Sequence, residues 1–194
     1  MELVMLKKRY FTLIEILVVC GIIAILAGMG FAGYRYAMNS GRESSTKALV
    51  KQISVALENC RNKFGFYPDS ANWDDIVIAV DSNGIPQSIQ FGSVTFAVND
   101  TVSTRQQFFK HFISLVDVES VKAARDSSGA LRDSWGNLIY YRYPGLVNDT
   151  AFDIISPGSD GRFSSSNAAS PASVTAKNKY VDGKEMLCDD IANF

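Results

Sequence analysis

The chain has 194 residues, 19 of them basic and 20 acidic, with one histidine and a net charge of −1. That balance leaves no bulk field to attract nucleic acid or an acidic substrate. The single histidine has no second His or Cys at metal-ligand spacing, and the two cysteines outside the apolar run do not make a disulfide framework. The first predicted element follows the basic cluster Lys7-Lys8-Arg9. From Phe11 to Ala32 the residues are apolar apart from Thr12 and Glu15, and no charge occurs from Ile16 onward. This reaches the roughly 20 residues that a helix needs to cross a bilayer. A signal peptide would have a shorter apolar core and a cleavage site after it. Here an amphipathic segment continues instead, so the span is expected to stay with the protein. Basic residues ahead of the span place residues 1–10 on the cytoplasmic side and the rest of the chain outside the inner membrane. Glu15 is the exception within the run, because a carboxylate in hydrocarbon is costly without a partner.

Phe11-Thr12-Leu13-Ile14-Glu15, behind a short basic leader, resembles the start of the type IV pilins and of the pseudopilins of type II secretion. The resemblance implies cleavage by a prepilin peptidase between Tyr10 and Phe11, N-methylation of Phe11, and pairing of Glu15 with the terminal amine of a neighbouring subunit. One residue departs from the pattern: Tyr10 stands where the family has Gly. The plain alternative is a signal anchor with an incidental glutamate.

Beyond Tyr34, apolar residues at Leu49, Ile53, Ala56, Leu57, Cys60 and Phe64 line one face of a helix, with Lys47, Lys51, Gln52, Glu58 and Arg61 on the others. Gly65 and Pro68 are stop signals, so one helix is predicted from Phe11 to Phe64, about 80 Å long at 1.5 Å per residue. Residues 11–33 form its membrane or filament-core half and residues 34–65 its amphipathic half. Gly28, Gly30 and Gly33 at the junction read equally as a point of local melting or as a close-packing surface. Cys20 lies in the span, which leaves Cys60 and Cys188 either as a pair in an oxidising compartment or as two separate buried thiols.

Residues 66–194 are read as one globular domain. Asn72 can cap a short helix through Ile76, Val77 and Val80, although the β-branched residues leave a strand open. Ile89 to Val98 reads as one strand with a bulge at Gly92. Thr104 reads as the cap of a helix that buries Phe108, Phe109, Phe112, Ile113 and Val116, with His111 on its outer surface. Asn99-Asp100-Thr101 and Asn148-Asp149-Thr150 read as turns. Leu138 to Tyr143 and Phe152 to Ile155 read as adjacent antiparallel strands separated by turn residues. The predicted class is therefore α+β, a long helix packed on a small antiparallel sheet.

Asp133-Ser134-Trp135-Gly136-Asn137 with Tyr143-Pro144-Gly145, then Ser156-Pro157-Gly158-Ser159-Asp160-Gly161, and finally Asp189-Asp190-Ile191-Ala192-Asn193-Phe194, resemble in order three segments of the major pseudopilins. In that family the residues matching Ser156, Pro157, Asp160, Asp189 and Asp190 surround calcium, and oxygen-rich loops suit that ion; the plain alternative is a solvated acidic turn. Residues 69–131 and 162–188 are longer than the resemblance needs and read as insertions. Taken together, the resemblance implies a non-enzymatic subunit of a periplasmic pseudopilus that helps export folded proteins. Its partners would be copies of itself, other pseudopilins and the inner-membrane assembly platform. A type IV or minor pilin is the alternative within the class. A signal-anchored periplasmic enzyme or binding domain is the alternative outside it, and no nucleophile elbow, metal-spaced His or phosphate loop supports that one.

Overall fold

A computed structural model describes residues 12–163, 180–181, 184–185 and 191–193. The chain divides into two compact units between Ser40 and Gly41. Helix α1 (Leu13–Phe64) contributes its first part to one unit and its second part to the other.

In the first unit α1 is long and apolar enough to cross a membrane. Its large apolar side chains from Leu13 to Met29 are between 51% and 84% exposed. The helix begins with a reciprocal cap. The Thr12 amide and hydroxyl donate to Glu15 Oε2 at 2.8 and 2.9 Å, and the Glu15 amide donates back to Thr12 Oγ1 at 3.3 Å. The two partners sit three residues apart, the spacing of a capping box.

In the second unit the same helix is amphipathic, burying Thr46, Leu49, Val50, Ile53, Ala56, Leu57 and Cys60. It ends at Phe64 because Gly65 takes φ +83°, a left-handed conformation that few side chains tolerate. The Gly65 amide then closes on Arg61 O at 2.7 Å. Against this face lies an antiparallel sheet of order β3-β2-β1-β4-β5-β8. Its strands are β1 (Ser70–Val80), β2 (Pro86–Phe91), β3 (Val94–Ala97), β4 (Tyr140–Tyr143), β5 (Asp153–Ser156) and β8 (Ile191–Ala192). A separate hairpin joins β6 (Tyr180–Val181) to β7 (Lys184–Glu185). The core combines Leu49, Ile53 and Leu57 with Ile76, Ile78, Ile89, Phe91, Tyr141, Phe152 and Ile154, while Phe64 packs on its margin. The α+β class and the expected β4–β5 pairing, with Tyr141 opposite Ile154, are both present.

One alternative left open is decided as strand, and two local expectations are overturned. Residues 70–80 are strand throughout, because Ile76 and Ile78 alternate into the core while β1 pairs with β2 on one side and β4 on the other. Ile89 to Val98 is two strands, not one. Gly92, at φ +57°, is the first residue of a two-residue hairpin turn that places Phe91 opposite Val94, and not a bulge. A Cβ there would lie 2.5 Å from Asp74 Oδ2 and 2.7 Å from Ser70 Oγ, so both the turn and the crowding require glycine. Helix α2 (Ser103–Leu115) starts behind Val102, which makes no side-chain cap, and Thr104 falls inside it. The cap work passes to Asp100, whose Oδ1 accepts from the Val102 amide at 2.9 Å. Phe108, Phe109 and Phe112 form the buried face as expected. Helix α3 (Val118–Ala123) is capped by Asp117. Residues 69–131 thus build β1, β2, β3, α2 and α3, which is half the sheet and both short helices.

Candidate functional site

Around β5 the fold brings together the three C-terminal segments singled out in the sequence. Asp133, only 6% exposed, is the hub. Its Oδ1 accepts from the amides of Trp135 and Asn137 at 2.9 and 2.8 Å. Its Oδ2 accepts from Asn137 Nδ2 at 3.2 Å and from the Ser156 hydroxyl at 2.7 Å. Asn137 Nδ2 also donates to Gly158 O at 2.8 Å, which ties the 133–137 turn to the short 3-10 turn Gly158–Asp160. From the other side Thr46 of α1 meets Ser134: its Oγ1 accepts from the Ser134 amide and donates to the Ser134 hydroxyl, both at 3.1 Å. The end of the chain joins through Asn193, which accepts from the Ile154 amide at 2.7 Å and donates to Phe152 O at 3.1 Å. One turn therefore holds the helix, the β4 entry and the β5 exit together.

The donors for the calcium that the resemblance implies differ in their surroundings. Asp189 and Asp190 lie outside the described residues. The Ser156 hydroxyl is buried and already engaged, donating to Asp133 and accepting from the Gly158 amide at 3.2 Å. Pro157 is buried ahead of the 3-10 turn. Asp160 is exposed, and its Oδ1 accepts from the Arg162 amide at 2.8 Å. Among the described residues no three acidic, histidine or cysteine side chains converge. Calcium takes six to eight oxygens, and among the described residues of the set Asp160 is the one carboxylate, while the Ser156 hydroxyl is turned to Asp133.

Tyr10, Phe11 and Cys188 also lie outside the described residues. Cys60 is fully buried and free. Burial pushes its thiol up to about 12, with Lys63 pulling weakly the other way, so at neutral pH it is a protonated apolar group rather than a nucleophile. Glu15 is held by Thr12 of its own chain, a partner the sequence reading missed although Thr-x-x-Glu was there as the signal. His111 is half-buried rather than on the open surface, its ring edge-on to Phe64 at 5.9 Å and its Nδ1 3.5 Å from Lys63 Nζ.

A groove of about 800 Å³ runs between α1 and the α2–α3 corner, lined by Lys51, Val55, Leu115, Asp117, Arg132 and Asp133 among others. Three of its charged groups are engaged within the chain. Arg132 pairs with Asp126 at 2.7 Å, Asp117 accepts from Ser120, and Asp133 holds its turn.

No family model, no curated protein and no solved structure matches this chain.

Proposed function

We propose that the chain is a structural, non-enzymatic filament subunit anchored in the inner membrane, with its second unit in the periplasm, and most like the major pseudopilin of a type II secretion system. One observation carries the reading. Within a single helix that follows the sequence Phe11-Thr12 and begins Leu13-Ile14-Glu15, apolar side chains are exposed all round up to Met29 and then buried on one face under a sheet from Thr46 onward. Exposed Leu and Ile at that density need an apolar cover, which a bilayer or the helices of neighbouring copies supply.

Deletion of the gene, followed by assays of protein secretion and of surface filaments, tests the proposal. Lost secretion supports the pseudopilus, lost surface filaments support a pilin, and neither change overturns the reading. Glu15→Ala should insert and fold but no longer cross-link to other copies, because an assembly partner for the carboxylate is lost while the cost at the helix start is only that of a cap. Mass spectrometry of the N-terminus from the native host decides whether Tyr10 allows cleavage: a mature chain beginning at Phe11 is expected.

A further inference from the structure

We infer that Asp133, and not a bound cation, holds the loop from Ser156 to Asp160 in place. Two of the loop's buried polar groups are taken within the chain. The Ser156 hydroxyl spans from Asp133 Oδ2 at 2.7 Å to the Gly158 amide at 3.2 Å. The Gly158 carbonyl receives Asn137 Nδ2 at 2.8 Å, and Asn137 is in turn fixed to Asp133 through its amide at 2.8 Å. A carboxylate that accepts four hydrogen bonds in a buried site is a strong organiser, since bonds to an ionised acceptor are roughly twice as strong as neutral ones. A cation arriving at Asp160 would meet a loop that is already ordered. Whatever it added in binding, the order of the loop would not depend on it. In this chain a buried aspartate thus does the work that the resemblance assigns to calcium, and Asp133 is a positioning residue for β5 and its exit.

The inference does not depend on the filament reading, and its test reads the loop alone. Hydrogen exchange of the full chain in detergent is followed by mass spectrometry in 2 mM Ca²⁺ and in chelator, on the peptides that contain the Trp135, Asn137 and Gly158 amides. Wild-type exchange at these amides is expected to differ less than twofold between the two conditions. Asp133→Asn, which keeps the shape but turns an acceptor into a donor facing Asn137 and Ser156, is expected to speed all three at least tenfold in both. Chelator alone speeding wild-type exchange tenfold would show that a cation holds the loop and would overturn the inference; so would an Asp133→Asn chain that exchanges like wild type. Should Asp133→Asn fail to fold, Ser156→Ala serves instead. It removes one bond and is expected to speed Gly158 with no calcium dependence, whereas a calcium-dependent protection of Gly158 in that variant would again overturn the inference.

Discussion

The two parts of α1 are built from the same backbone and have opposite surroundings. Before Ser40 apolar residues occupy every face, and from Leu13 to Met29 all the large ones are exposed by half or more. After Gly41 the buried positions Thr46, Leu49, Val50, Ile53, Ala56, Leu57 and Cys60 recur every three or four residues, with charged and polar side chains between them. Secondary structure is therefore not what separates them; the distribution of polar residues is. A helix with one apolar stripe can be satisfied by its own chain, because a single sheet covers a single stripe. A helix apolar all round cannot, and its cover has to come from lipid or from other chains.

The sharpest way to break this comparison is to delete the same kind of side chain on both sides. Leu57→Ala removes a side chain with no exposure from the core of the second unit, and should cost about 2–5 kcal/mol in denaturant unfolding of the detergent-solubilised chain. Leu17→Ala, at a position 64% exposed, should leave that transition where it was. A loss of stability from Leu17→Ala as large as that from Leu57→Ala would mean that the first part is packed within its own chain after all.

A smaller effect is expected from Asp153, which is fully buried and holds the 144–152 loop by accepting from the Val147 and Asn148 amides at 2.8 and 3.1 Å. Asp153→Ala leaves two part-buried amides without their acceptor, at up to about 1–3 kcal/mol. The same denaturant unfolding measures it, and a change within error would show that water reaches the loop.

Acid sensitivity should also be confined to the second unit. Asp126 is lowered from its ordinary value of 3.8 to about 2, first by the Ser128 hydroxyl and then by Arg132 and the backbone amides of Ser128 and Ala130, against the cost of desolvation. Because the folded chain holds its proton less tightly than the unfolded one, this contribution is complete above about pH 4. It is lost as pH falls through 2. Asp126→Asn should flatten the acid limb of the stability curve between those values; an unchanged limb would show that the turn keeps its form when protonated.

The smallest effect belongs to His111. Desolvation against Phe64 first, and the charge of Lys63 second, hold it below its ordinary value of 6.5. The unfolded chain then takes up the proton before the folded one does, so stability should decline slightly as pH drops below 6.5. His111→Phe should remove that slope; melts at pH 7.5 and 5.5 compare the two chains.

Much of this protein can be read from pattern alone, where the interactions are local. The apolar run after Phe11, the amphipathic spacing from Leu49 to Phe64, the stop at Gly65 and the phenylalanine face of α2 depend on residues within a few turns of one another, and periodicity records them directly. The Thr12–Glu15 cap is equally local, its Thr-x-x-Glu spacing lying within one turn of helix. Other features were decided only by tertiary contact. Whether 70–80 became helix or strand rested on β2 and β4 arriving on either side of it. Gly92 became a turn because Phe91 had to face Val94. The role of Asp133 could not be seen at all in its own neighbourhood, because its partner Ser156 lies 23 residues away and the hub closes only once β4 and β5 have paired. Pattern specifies what a segment can bury or cap by itself. Which buried polar group meets which is set by the pairing of strands distant in sequence, and a linear spacing carries no record of it.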